Sequence, residues 1–226
     1  MRWKQSKHRS VLGRAIEWCD FGCGPSCAVV VAGVHGDEKQ GVAVARAVAE
    51  NLAEFSESDL DGLRVVVMPL ANPDGWELGS RKNANGVDIN RNFPTKDFGT
   101  GPSDPNHRFY GGSEPASEPE TKAIMEMVEI FQPRLIISLH EPMECVNYNG
   151  PSQRLAKRLS KMTGLPAVSD IGYPCPGSMG TYYGYERRVP LITLELPKDN
   201  VDPARWSNVL IELFLGFAAR GAKGRL

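Results

Sequence analysis

An uninterrupted apolar run at residues 27–34, CAVVVAGV, constrains the fold of this chain more than any other feature of its sequence. The run is rich in β-branched residues and has the length of a strand. Such a run is typical of a strand that is buried on both faces of a largely parallel sheet. Over residues 38–55, apolar residues then recur at helical spacing. The first part of the chain therefore predicts a strand, a loop and a helix, in that order.

The same alternation continues along the chain. Apolar runs predict further strands at 63–70, 135–139 and 191–196. Helical spacing predicts further helices at 117–132, 152–163 and 204–219. Ser117 is expected to cap the first of these helices, with Glu120 reaching back to it. Alternating strands and helices predict an α/β fold: a single three-layer domain over residues 1–226, with a mixed, mostly parallel twisted sheet and helices on both faces. Residues 1–10 are expected to form a loose N-terminal segment.

Composition excludes several classes of function. With 26 Lys and Arg against 27 Asp and Glu, the formal net charge is −1, which argues against a nucleic-acid partner and against binding to a membrane. No apolar run approaches the ~18 residues of a membrane span, and the first residues lack the apolar stretch of a secretory signal. The five cysteines include no C-x-x-C pair, and a chain of this length needs no disulfides to form a core. A cytoplasmic protein that acts on a small molecule or a peptide is therefore expected, and its oligomeric state stays open.

Two of the four histidines stand at the ends of predicted strands. His35 begins an H-x-x-E motif with Glu38 directly after the first apolar run, and His140 ends the strand at 135–139. The carboxyl ends of parallel strands lie at the same edge of a sheet, so the three side chains are expected to meet. Two imidazoles and one carboxylate can hold zinc and leave its fourth position open. The alternative is that both histidines are satisfied by backbone groups, because H-x-x-E alone is a weak motif.

Glu195 lies inside the apolar strand at 191–196, where a charge is costly unless it reaches a polar site. A metal-assisted hydrolysis needs a group that takes and returns a proton, and Glu195 is a candidate for this general base. Strand alternation offers the alternative that Glu195 faces water.

The stretch SRKNANGVDINRNFP carries three further candidates, Arg81, Asn90 and Arg91, among turn-forming residues. One arginine is expected to face a developing oxyanion and the other to bind a substrate carboxylate, although surface solvation is the usual fate of arginines. Residues 93–120 follow as a long Pro- and Gly-rich loop of the kind that builds or covers a site.

Six stretches in chain order resemble the zinc carboxypeptidase superfamily, and most of all its short bacterial murein peptide amidase A branch: GVHGDE, ANPDGWELGSRKNANGVDINRNFP, GGSEPASEPET, ISLHEP, GYPCPGSMGTY and ITLELP. The resemblance implies the zinc carboxypeptidase fold and one zinc ion per chain. It implies these site residues: His35, Glu38 and His140 as zinc ligands, Glu195 as catalytic carboxylate, Arg81 as oxyanion stabiliser, and Asn90 with Arg91 as the carboxylate clamp.

The resemblance also implies a substrate, a murein tripeptide cut between γ-D-glutamate and meso-diaminopimelate during cytoplasmic cell-wall recycling. The runner-up is an N-acyl amino acid deacylase related to aspartoacylase and succinylglutamate desuccinylase, which resemble GVHGDE and the Asp-x-Asn-Arg stretch. A catalytically inactive binding module is disfavoured, because the three ligands and Glu195 are all present.

Three features remain ambiguous in the sequence. Tyr173 aligns with a mobile, substrate-covering tyrosine of the digestive carboxypeptidases, and packing over its own loop is the alternative. Glu141 either binds the amino group of diaminopimelate or is solvated. The thiols of Cys19, Cys23 and Cys27 are expected to be small residues in a turn before a strand rather than a metal cluster.

Overall fold

The structure, a computed structural model, describes residues 1–221. Its strands are β1 (Lys4–Arg9), β2 (Ala15–Phe21), β3 (Ser26–Val31), β4 (Leu63–Met68), β5 (Leu135–His140), β6 (Cys145–Asn149), β7 (Ala167–Val168) and β8 (Leu191–Glu195). Its α-helices are α1 (Lys39–Ala53), α2 (Pro73–Leu78), α3 (Pro119–Phe131), α4 (Gln153–Thr163) and α5 (Pro203–Gly221). A 3-10 turn (Ile89–Arg91) and a π-helical segment (Gly180–Glu186) complete the regular structure. Within residues 1–221, no helix combines the length and the apolar character that a membrane span requires.

The strands form one sheet in the order β1-β2-β4-β3-β5-β8-β6-β7. The four central strands, β4, β3, β5 and β8, are parallel, while β2 runs antiparallel to β4 and β6 runs antiparallel to β8. The sheet is thus mixed and mostly parallel, as the alternation of strands and helices predicted. The carboxyl ends of β5 and β8 bring His140 and Glu195 directly opposite each other in the register.

Helices cover both faces of the sheet, which confirms the three-layer α/β fold. Strand β3 contributes Ala28 and Val30 to the core beneath α1, α4 and α5, and it contributes Val29 and Val31 to the core beneath α3. None of these four side chains has exposed surface. Burying one such valine stabilises the fold by roughly 1.5–3 kcal/mol, so the apolar run fixes the centre of the sheet.

The first residues are not a loose segment, because Lys4–Arg9 form the edge strand β1 against β2. Asp20 joins the two strands to the sheet through ion pairs with Lys4 and Arg64. Burial opposes ionisation of Asp20, but hydrogen bonds from these two cations lower its pKa below the usual value. The sequence did not predict strand β2, because the charged residues Glu17 and Asp20 interrupt its apolar positions.

The expected cap of α3 is wrong. The helix begins at Pro119, and Glu118 occupies the capping position without a capping side-chain bond. The hydroxyl of Ser117 donates to Glu118, and Glu120 accepts hydrogen bonds from Asn83 and the backbone of Val11 instead. Tertiary partners thus replace the local capping pair. These buried carboxylates fasten the helix to the stretch that carries Arg81.

Candidate active site

His35, Glu38 and His140 converge at the carboxyl edge of the sheet. The Nδ1 atoms of the two imidazoles lie 3.1 Å apart. Glu38 faces both of them, with Oε1 2.6 Å from Nδ1 of His35 and Oε2 2.8 Å from Nδ1 of His140. All three residues are buried. They form the one group of metal-ligating side chains within the described residues whose ligand atoms lie within 4.8 Å of one another.

Each imidazole is held from behind through its other ring nitrogen. Nε2 of His35 lies 3.2 Å from Oδ1 of Asp88, and Nε2 of His140 lies 2.9 Å from the hydroxyl of Ser138. These contacts fix the ring orientations and leave both Nδ1 atoms directed at the same point. The sequence analysis missed Asp88, although it stands within the Asp-x-Asn-Arg stretch and its two-residue distance from Asn90 places it in the same turn.

Electrostatics favours a charged carboxylate at this site. Burial opposes the ionisation of Glu38, but the adjacent imidazoles of His35 and His140 hold its pKa well below the usual range. Burial likewise opposes the ionisation of Asp88, and His35 together with Arg81 and Arg91 lowers its pKa. The donor set is therefore two imidazole nitrogens and an ionised carboxylate, with hydrogen-bonded support behind the rings. This set fits zinc.

Glu195 lies beside His140, at the end of β8. The register pairs it with His140 on one side and with Cys145 on the other. It is 7% exposed, so the alternative that it faces water is excluded. Burial, with a smaller contribution from the charge of Glu195, raises the pKa of the Cys145 thiol to about 11, so this cysteine stays neutral next to the carboxylate.

Arg81, Asn90 and Arg91 line the same cavity. Nε of Arg81 donates to Oδ2 of Asp88 at 2.9 Å, and its Nη1 lies 3.6 Å from Oε1 of Glu38. Oδ1 of Asn90 accepts the backbone N–H of Met179, which leaves its side-chain nitrogen as a donor. The structure thus brings together the residues that the sequence nominated, and none of the three is a solvated surface group.

The backbone of Arg91 is confined by two glycines. A Cβ atom on Gly111 would lie 2.3 Å from the Arg91 carbonyl oxygen, and one on Gly177 would lie 2.0 Å from it. Gly177 also has a positive φ of 69°. Only glycine permits this approach from both sides, so the backbone of Arg91 is fixed between two loops.

Tyr173 lies at the rim of the cavity and is 38% exposed. Its ring stacks on that of Phe109, with centroids 5.7 Å apart and planes 11° apart, and its hydroxyl contacts Sδ of Met143 at 3.9 Å. The loop behind it is tied down, because the backbone N–H of Gly177 donates to Oγ1 of Thr95. The sequence did not indicate Phe109, which lies in the middle of the long Pro- and Gly-rich loop without a motif of its own.

The cavity has a volume of about 640 Å³ and a polar floor behind the metal-ligating side chains. The register places Ser138, Thr193 and Asn147 in one row across β5, β8 and β6, two residues before the row of His140, Glu195 and Cys145. Asn147 is buried, and its side-chain nitrogen donates to the Val168 carbonyl, which leaves Oδ1 as an acceptor. Asn149 lines the cavity beside this row.

The structure shows the surroundings of Glu141 and of the three N-terminal cysteines, which the sequence left ambiguous. Oε1 of Glu141 accepts the backbone N–H of Gln40 at 2.7 Å, so this carboxylate contacts the first turn of α1 rather than standing free in solvent. Cys19 and Cys27 are buried in β2 and β3, and Cys23 is exposed between them. The expectation that these thiols share a single turn is therefore wrong, because two of them lie in strands.

The chain belongs to the zinc carboxypeptidase family, whose model matches residues 4–170. It is therefore a metallopeptidase-type hydrolase. The matched residues include His35, Glu38 and His140 and end before Glu195.

Curated relatives narrow the comparison within this family. Murein peptide amidase A of Escherichia coli K12 is 32% identical over 206 residues, which cover 87% of this chain and 82% of the relative. Murein peptide amidase A of Vibrio campbellii is 37% identical over 187 residues, which cover 78% and 72%. These similarities confirm the predicted resemblance to the murein peptide amidase branch.

Solved structures agree with the fold. A murein-tripeptide amidase from Escherichia coli O157 matches with a TM-score of 0.73 and 29% identity, over 96% of this chain and 91% of that one. Carboxypeptidase A from Helicoverpa armigera matches with a TM-score of 0.84 at 19% identity, over 98% of this chain and 69% of that one. The second match supports the fold alone.

Proposed function

We propose that this protein is a zinc-dependent amidase of murein peptides, which cuts the bond between γ-D-glutamate and meso-diaminopimelate. The observation that carries the proposal is the convergence of His35, Glu38 and His140 beside Glu195 in a cavity that three arginines also line. The names of the relatives that are 32% and 37% identical support the choice of substrate.

One zinc ion per chain fits the site between His35, Glu38 and His140. When bound, zinc supplies Lewis acidity that polarises the scissile carbonyl and lowers the pKa of a water molecule to about 7. Asp88 and Ser138 keep the two imidazoles in the required orientation.

The other residues of the cavity bind the substrate, stabilise the oxyanion and transfer the proton. The side chains of Asn90 and Arg91 bind the carboxylate of the residue on the amine side of the scissile bond. Arg81 faces the carbonyl oxygen as negative charge develops on it. Glu195 takes the proton of the attacking water and passes it to the departing amine, so a C–O bond forms as the C–N bond breaks. Tyr173 donates a hydrogen bond to the bound peptide from the rim.

The polar floor suits the side chain of diaminopimelate, which ends in an ammonium group and a carboxylate. Oδ1 of Asn147 is an acceptor for the ammonium group, while the hydroxyl of Thr193 and the amide of Asn149 are donors for the carboxylate. A leucine side chain in the same place would leave these polar groups unpaired, at a cost of about 1–3 kcal/mol for each one. This pocket chemistry favours a murein peptide over an apolar carboxypeptidase substrate.

We also infer that the protein works in the cytoplasm, where murein peptides are recycled. All five cysteines are free thiols, which is typical of a reducing compartment. We expect the protein to have no nucleic-acid or membrane partner, because its formal net charge is only −1.

The decisive assay incubates zinc-loaded protein with L-Ala-γ-D-Glu-meso-diaminopimelate, with the same peptide ending in leucine, and with N-acetyl and N-succinyl amino acids. Release of free diaminopimelate, with little release of leucine, is the expected result. Efficient cleavage of the acyl amino acids alone would instead assign the protein to the deacylases. A zinc titration in parallel should reach full activity at one ion per chain.

A further inference from the structure

Phe109 lies between Arg81, Arg91 and Tyr173, and its neighbour Arg108 is the third arginine that lines the cavity. Its ring centroid lies 5.2 Å from Cζ of Arg81 and 5.1 Å from Cζ of Arg91. The ring also stacks on Tyr173 at 5.7 Å, and it lines the cavity. One side chain therefore contacts two residues of the stretch SRKNANGVDINRNFP and one residue of the loop before β8.

An aromatic ring stabilises a guanidinium without using its hydrogen-bond donors. The attraction arises between the cation and the electron-rich ring, whereas a carboxylate would accept the N–H groups and compete with an anionic substrate. Within the described residues, Arg81 donates one hydrogen bond, from Nε to Asp88. Its Nη1 makes only a longer ion pair, at 3.6 Å, with Oε1 of Glu38, so the terminal N–H groups keep donors for a substrate oxygen while the ring supports the cation.

The main chain around Phe109 is anchored on both sides. The backbone N–H of Phe109 donates to Nδ1 of His107 at 3.1 Å. The next residue, Tyr110, accepts the backbone N–H of Asp88 at 2.8 Å. The loop is thus fastened to the residue that supports His35 and Arg81, so the position of the ring is tied to the metal-ligating edge.

We propose that Phe109 is a positioning residue that holds Arg81, Arg91 and Tyr173 in place for substrate. The proposal rests on the proposed function, because it takes Arg91 as the group that binds the substrate carboxylate. Loss of the ring is expected to weaken recognition of that carboxylate and leave the metal-ligating residues intact.

The test compares Phe109→Leu, Phe109→Tyr and the control Phe98→Leu, a phenylalanine of the same loop with no arginine over its ring among the described residues. Each protein is assayed with the tripeptide and with the same tripeptide whose clamp-bound carboxylate is replaced by a carboxamide. Phe109→Leu is expected to lower kcat/KM on the tripeptide about tenfold, mainly through KM, and to shrink the penalty for the carboxamide. Phe109→Tyr should restore both values, and Phe98→Leu should resemble the parent.

The possible outcomes distinguish a failure of the positioning role of Phe109 from a failure of the proposed function. If the parent cleaves the tripeptide and discriminates against the carboxamide, an unchanged penalty in Phe109→Leu overturns the inference alone. Equal losses in Phe109→Leu and Phe109→Tyr would also overturn it, because a ring-specific role requires rescue by tyrosine. A parent that cleaves the tripeptide without discriminating against the carboxamide overturns the clamp and the inference together, and a parent that does not cleave it overturns the proposed function. Zinc content and melting temperature, measured for every variant, identify a loss that comes from misfolding.

Discussion

The metal-ligating edge of the sheet and the loop wall that faces it are built in different ways. The edge consists of His35 in the loop after β3, Glu38 at the start of α1 and His140 at the end of β5, and these residues are 2–7% exposed. The wall consists of Arg81, Asn90, Arg91, Phe109 and Tyr173, which come from loops that are joined by hydrogen bonds and ring contacts. Under the proposed function the edge and Glu195 carry the bond chemistry, while the wall carries substrate recognition and, at Arg81, stabilises the developing oxyanion. Substitutions at the edge should therefore abolish turnover, while substitutions in the wall should reduce turnover only in part.

The largest effect is expected from the edge itself. His140→Ala should lose zinc and lower activity by more than ~10³-fold, because metal catalysis supplies several kcal/mol of transition-state stabilisation. Elemental analysis and the tripeptide assay measure the two effects, with His8→Ala, on the edge strand β1, as the matched control. Stoichiometric zinc in a His35→Ala, His140→Ala double variant would contradict the assignment of the ligands.

The second largest effect is expected at Glu195, where a substitution should remove proton transfer without removing zinc. Glu195→Gln should keep zinc and fold normally, yet lose at least ~10²-fold in kcat, since the amide cannot take the proton of water. Glu212→Gln, at an exposed carboxylate on α5, is the control and should behave as the parent. Turnover within about threefold of the parent in Glu195→Gln would reject it as the base, because a general base contributes more than that.

Within the wall, the largest effect is expected at Arg81. Arg81→Gln should lower kcat by ~10²-fold with a smaller change in KM, because its charge is needed most when the oxyanion develops. Its ion pair with Asp88 is lost as well, so zinc affinity is measured beside the kinetics. Arg154→Gln on the exposed side of α4 is the control. A pure rise in KM would move Arg81 from the oxyanion to substrate binding.

The difference between the two regions also explains what could be predicted from sequence. Buried parallel strands have an apolar signature, so residues 27–34 and 135–139 predicted the sheet and the strand-end position of His140. His35 was expected directly after a strand, but β3 ends at Val31 and His35 lies in the loop that leads to α1. Strand β6 has no such signature, because its Asn147 and Asn149 face the cavity. The wall depends on contacts between distant loops, such as Phe109 with Tyr173, which leave no local periodicity. Motifs nominated the arginines there, and only the fold identified Phe109 and Asp88.

The smallest effect is expected at Tyr173, on the rim of the cavity, and it tests whether this outer part of the wall contributes to activity. Tyr173→Phe removes a hydroxyl that contacts only the sulfur of Met143 among the described residues, while the ring can keep its stack on Phe109. If the hydroxyl donates to the bound peptide, KM should rise or kcat should fall by roughly tenfold, which corresponds to the ~1.4 kcal/mol of one hydrogen bond. Tyr185→Phe is the matched control, since this tyrosine also lines the cavity and its hydroxyl donates to the Ser169 carbonyl. Unchanged kinetics in Tyr173→Phe, with unchanged zinc content and melting temperature, would leave the tyrosine a packing role. Phe109 and the arginines would then contribute to substrate recognition, while the rim of the cavity would not.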